Sequence, residues 1–130
     1  MGADIQKGEW PQLMRMTEDG QRLFITMNKA GKVVMFDTCE PAKPKLVKVL
    51  DLGANSGPHF LRLTADQKRL VISDYFLNED SVGKVHAKGD HKVHVAKVSR
   101  DNLDLDSRFR LDCTTALGTG PARPHGLAFK

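Results

Sequence analysis

At 130 residues, with 40% hydrophobic and 28% charged residues, the chain has the size and composition of one globular domain and lies well away from disordered sequences. Its net charge of +4 comes from twenty Lys and Arg against sixteen Asp and Glu. These alternate along the chain, which implies a solvated basic surface and no nucleic-acid partner.

The first predicted strand is "QLMRMT", Gln12 to Thr17. An Asp-Gly turn leads into "RLFITM", Arg22 to Met27. A short "NKAG" turn precedes "KVVMFDT", Lys32 to Thr38, and after the breaker-rich "CEPAKP" comes "KLVKVLDL", Lys45 to Leu52. The second half reads as "HFLRLT" from His59, "RLVISDYF" from Arg69, "HKVHVAKVS" from His91 and "RFRLDCTT" from Arg108, with a last strand over 121–130. No segment sustains a 3.6-residue period with caps, so helix is at most a minor component. No stretch is apolar enough for a leader or a membrane span, which makes the cytoplasm the expected location and a membrane no partner. Cys39 and Cys113 fit no CxxC or zinc spacing and read as free thiols.

The halves repeat. "PQLMRMTEDGQRLFIT" from Pro11 and "PHFLRLTADQKRLVIS" from Pro58 share Pro11/Pro58, Arg15/Arg62, Thr17/Thr64, Asp19/Asp66, Arg22/Arg69, Leu23/Leu70 and Ile25/Ile72. A repeat of this length built from four short antiparallel strands is the signature of a β-propeller blade. The expected fold is therefore all-β: two four-stranded blades, 10–55 and 57–118, plus one extra strand at 121–130. Two blades leave flat apolar faces uncovered, so further blades or self-association are expected.

Antiparallel alternation places the start of each innermost strand at the same edge as the connection between the second and third strands. His59 and His125, each following a proline, should then meet at one mouth of the central channel. The long connection "LNEDSVGKVHAKGD", Leu77 to Asp90, brings His86 and then His91 to that end. His59 and His125 read either as metal ligands or as strand-start histidines bonded to loop carbonyls. His86 and His91 read first as solvated loop residues and second as ligands, and His94 as a packing residue between blades. "NED", Asn78 to Asp80, has too few ligands for a calcium loop. Arg15 and Arg62 could face an anion, with structural ion pairing the simpler role. No GxSxG, P-loop, GxGxxG or HExxH occurs. Neutral imidazoles suit copper, zinc or iron.

"SGPHFLRLTADQKRLVISDYFLNED", "GKVHAKGDHKVHV" and "GTGPARPHGLAFK" resemble the C-terminal portion of the selenium-binding protein family, which includes methanethiol oxidases. The resemblance runs from about Trp10 to Lys130. It implies a seven-bladed propeller holding copper on His59 and His125 and secondarily on His86 and His91, with selenium as a further possible cofactor whose cysteine lies in the part of the family protein that this chain does not include. It also implies an oxidoreductase with a small thiol substrate, turning methanethiol into formaldehyde, hydrogen sulfide and hydrogen peroxide. The chain corresponds to only part of such a protein. The alternative is a non-enzymatic propeller module that binds selenium, metal or another protein.

Overall fold

The computed structural model describes residues 8–76, 78–79, 82–86 and 89–129, with the backbone alone of Asn78, Glu79, Val85 and His86. The first sheet takes β1 (Pro11–Met16), β2 (Arg22–Met27), β3 (Lys32–Asp37) and β4 (Lys45–Asp51) in chain order, every neighbour antiparallel. The second begins with β5 (Pro58–Leu63) and β6 (Arg69–Asp74). The insertion then forms a small hairpin, β7 (Asn78–Glu79) with β8 (Val85–His86). The chain rejoins the second sheet as β9 (Lys92–Val98), whose far edge carries both β10 (Leu103–Leu105) and β11 (Leu111–Asp112). Among the described residues there is no helix, hence none long and apolar enough to cross a membrane.

Two blade-like sheets thus lie face to face, as the repeat predicts. β2 and β6 are covered on both sides and so read as nearly continuous apolar runs rather than alternating ones. Phe24, Val33, Met35 and Leu50 of the first sheet meet Leu61, Leu70, Ile72, Ala96 and Leu103 of the second in one core between the sheets. A smaller cluster of Met27, Val34 and Phe36 lies on the other face of the first sheet. On the far face of the second, Val71, Val93 and Val95 are lined by Cys113 and by Leu127 from the last segment.

Polar contacts fasten the seam at its ends. At one end Asn28, almost wholly buried, donates its amide to the carbonyls of Pro58 (3.2 Å) and Tyr75 (3.3 Å). At the other, the buried Arg22 guanidinium donates to the Arg100 carbonyl (2.6 Å) and lies 3.3 Å from Asp37. These bonds satisfy the Asn28 amide and most of the Arg22 guanidinium, groups that would be costly to bury alone, while Arg22 Nη2 has only Asp101 at 3.7 Å.

The repeated "TxD" turn folds identically in both sheets. Thr17 and Thr64 each donate a hydroxyl to the aspartate two residues on, at 2.6 Å. Those hydroxyl bonds, with backbone N–H donors second, hold the Asp19 and Asp66 carboxyls below their ordinary value. The turn then needs a left-handed residue: Gly20 (φ 71°) in the first copy and Gln67 (φ 55°) in the second. The strain a side chain brings there is offset at Gln67, whose Oε1 accepts the Glu18 N–H at 2.8 Å across the seam.

Two expectations are corrected. The fourth strand of the second sheet does not run unbroken from Arg108 to Thr115. It is split into Leu103–Leu105 and Leu111–Asp112, because β9 bonds first to one and then to the other around a turn at Asp106–Phe109. The segment 121–129 forms no strand, since no described strand lies beside it to complete a ladder; it lies against the second sheet through Leu127 instead.

The shared core makes one stability prediction. Leu70→Ala, at a fully buried position, should lower unfolding free energy by about 2–5 kcal/mol. Leu46→Ala, on the 41% exposed edge, should change it by about 0.5 kcal/mol or less. Urea denaturation of the two variants checks the contrast.

Candidate functional site

β5 begins, β6 ends and β9 begins at one edge of the second sheet, which is the edge that antiparallel alternation assigns to the channel mouth. A register shift between Pro58 and Phe60 re-aims the start of β5. The backbone there is fixed from the first sheet, since the Thr26 hydroxyl donates to the His59 carbonyl at 3.3 Å. Tyr75, just past β6, donates its N–H to the Gly57 carbonyl at 2.8 Å. The last segment is held by the Ala122 N–H donating to the Cys113 carbonyl at 2.9 Å, and delivers His125 to the same place.

Three rings converge there. His59 and His125 stack with centroids 4.9 Å apart and planes 16° from parallel. Tyr75 leans on both, 4.2 Å from His125 and 5.7 Å from His59. Burial, and secondarily the neighbouring His125, push the half-buried His59 imidazole below its ordinary value of 6.5. It is therefore neutral near pH 7, able to accept a proton.

The sequence pairs His59 with His125, and the structure does bring them together. Their arrangement does not fit a preformed metal chelate: ring-nitrogen lone pairs lie in the ring plane, and two nearly parallel stacked rings do not aim them at one point. The side chain of His86 lies outside the described residues, as do the side chains of Asn78 and Glu79 and the whole of Asp80. His91 is not part of this ring cluster. Its carbonyl accepts the Cys113 N–H at 2.8 Å and its Nδ1 is buried without a partner among the described residues.

His94 is more than a packing residue. It shares a 2.8 Å hydrogen bond through Nε2 with Asp74, which is fully buried at the end of β6. Ser56 donates its hydroxyl to the other Asp74 oxygen at 2.8 Å. Burial pushes the Asp74 carboxyl up, to about 6, against the lowering effect of the His94 bond. Sequence reasoning missed this pair, although a signal was present. Asp74 is two residues beyond Ile72, and Ile72 sits opposite His94 in the ladder, so both polar groups fall on the seam face.

Arg15 and Arg62 line a cleft with Thr64, Gln67 and Phe129 at the other end of the inner strands. Ion pairing was the simpler expectation, yet neither arginine has a carboxylate partner among the described residues, and Arg62 lies over the Phe129 ring at 5.5 Å.

No family model matches the chain, and no curated protein does. Similar solved structures include the periplasmic gluconolactonase PpgL of Pseudomonas aeruginosa, at 17% identity and a TM-score of 0.66, covering 83% of this chain and 28% of that one. A protein named as a 6-phosphogluconolactonase, from Bacteroides uniformis, is similar at 16% identity and a TM-score of 0.62, covering 85% and 28%. The chain thus spans under a third of either structure's length, and at these identities the likeness is one of fold.

These findings overturn the selenium-binding resemblance and, with it, the oxidation of methanethiol by copper and the oxidoreductase class. The strings that carried the resemblance are in good part blade grammar. "LTADQKRLVIS" is the turn and second strand that the first sheet repeats as "MTEDGQRLFIT", and its residues are accounted for by turn bonds and seam packing.

Titrating the histidine ring protons by NMR should give His59 a midpoint below 6.5. His125→Ala should move that midpoint upward by removing both a like charge and part of the cover. A midpoint at or above 6.5 in the unaltered chain would contradict the placement of the rings.

Proposed function

We propose that this chain is a two-blade part of a propeller hydrolase, and that His59, Tyr75 and His125 at the channel mouth form a site for opening a small cyclic ester. The observation that carries the reading is the convergence of three polar rings from three separate segments, one of them the half-buried, neutral His59 imidazole. A neutral histidine beside water is suited to general-base work. His59 takes a proton from water as the water oxygen bonds to the ester carbonyl carbon. The ring carbon–oxygen bond then breaks, and the proton passes to the released oxygen, giving a hydroxy acid. The gluconolactonase and 6-phosphogluconolactonase names of the similar structures supply the substrate class by analogy of fold.

Glucono-δ-lactone opening, followed by pH-stat against the spontaneous rate, tests this reading. His59→Ala should reduce any acceleration by about 100-fold or more. No acceleration by the unaltered chain, or an unchanged rate in the variant, would overturn it.

Copper on the histidines is a separate proposal, as is selenium as a cofactor. The copper reading needs the exposed His125 ring to turn out of its stack before two nitrogens can face one ion, and metal analysis of purified chain addresses it. The cytoplasm is likewise the location proposed for the chain.

Completion of the ring by further blades, seven in all, or by a second copy is part of the same reading. It is supported by the exposed apolar residues of the first sheet: Met14 and Met16 on β1, Leu46 and Val49 on β4. Sedimentation velocity should show self-association of the isolated chain; a single monomeric species at high concentration would argue against it.

A further inference from the structure

Beside the ring cluster, the same edge of the second sheet holds a second group of ligating side chains. Asp74, Asp90 and His94 each place one carboxylate oxygen or ring nitrogen within 4.8 Å of the others. We propose that these three residues hold one divalent transition-metal ion of the zinc or manganese kind, independently of His59 and His125.

The argument begins with charge. Asp74 is fully buried and Asp90 mostly so, and the two carboxyls lie together at the end of an apolar seam. Like charges in such a place call for a shared proton or a cation. Lys92 donates to Asp90 Oδ2 at 2.8 Å. The other oxygen of Asp90, Oδ1, is buried with no hydrogen-bond partner among the described residues. The Asp90 carboxyl also stands close enough to Asp74 to push that carboxyl up, after burial itself, so the two compete for a proton that a cation would displace.

Geometry agrees. Donors on a four-coordinate ion with bonds of about 2.1 Å stand about 3.4 Å apart, so spacings of up to 4.8 Å close by at most about 1.4 Å while the 2.8 Å His94–Asp74 contact opens by about 0.6 Å. His94 and Asp74 project from paired strands, and Asp90 is pinned where its N–H donates to the Asn55 carbonyl at 2.8 Å. Ser56 holds the remaining Asp74 oxygen, an outer bond of the kind that orients metal-bound carboxylates. Two carboxylates and one imidazole suit zinc or manganese and fall short of the six to eight oxygens calcium takes. Such an ion would fasten the start of β9, where the long insertion returns, to the end of β6.

The test is a cobalt(II) chloride titration of the full chelator-treated chain, read by visible absorption and by histidine ring-proton NMR. The expected result is one ion per chain, with the His94 signals shifted and broadened before those of His59. Asp90→Asn should weaken binding at least tenfold, while a His59→Ala/His125→Ala double variant should bind as the unaltered chain does. Absence of binding, binding unaffected by Asp90→Asn, or binding lost with His59 and His125 would each overturn the proposal. The NMR order of response needs no variant, so a misfolded Asp90→Asn chain leaves it decidable. Because the lactone reading rests on His59, either site can fail without the other.

Discussion

The packing of one sheet's flat face on the other is what every other feature depends on. Phe24 and Met35 on one side, and Leu70 and Ile72 on the other, lose all contact with water at that seam. A single sheet would leave this apolar face in water, and burial is the main term that favours order. The channel-mouth residues inherit their positions from this contact. Asn28 reaches across it to the carbonyls on either side of the site, and Thr26 supports the His59 carbonyl. A change that loosened the seam would therefore misplace His59 and Tyr75 without touching either.

Much of this was legible in the residues. Seven strands follow from turn chemistry and apolar runs, and the TxD match between Thr17–Asp19 and Thr64–Asp66 reports a shared hydrogen-bonded turn. The split at the edge of β9 was not legible. "LDL" at Leu103–Leu105 is too short to stand out, whereas "RFRLDCTT" looks like a strand although only Leu111 and Asp112 find ladder partners. Ladder partners are a property of the neighbour, which local pattern does not encode.

The site was legible in part for a similar reason. Repetition located His59 and His125, because a duplicated unit puts equivalent positions at equivalent edges. It could not supply ring orientation, which decides between stacking and chelation. Asp74 and His94 share no sequence neighbourhood, and only the register of β6 against β9 brings them together. A family likeness built on contiguous strings was least secure for the same cause: a blade's turns and strands recur wherever blades do.

The divided edge of the second sheet has a consequence for behaviour in concentrated solution. A strand edge with a continuous row of free N–H and C=O groups is a template on which another chain can add. β9 has given its outer edge to two short strands with a bend between them, so that side of the molecule presents no long straight template. β4 differs: it is a seven-residue edge strand carrying exposed Leu46 and Val49. Lys45 and Lys48 interrupt that run, and charged residues on such an edge discourage strand addition. The two repeated units thus guard against aggregation differently, one by breaking its margin and the other by charging it.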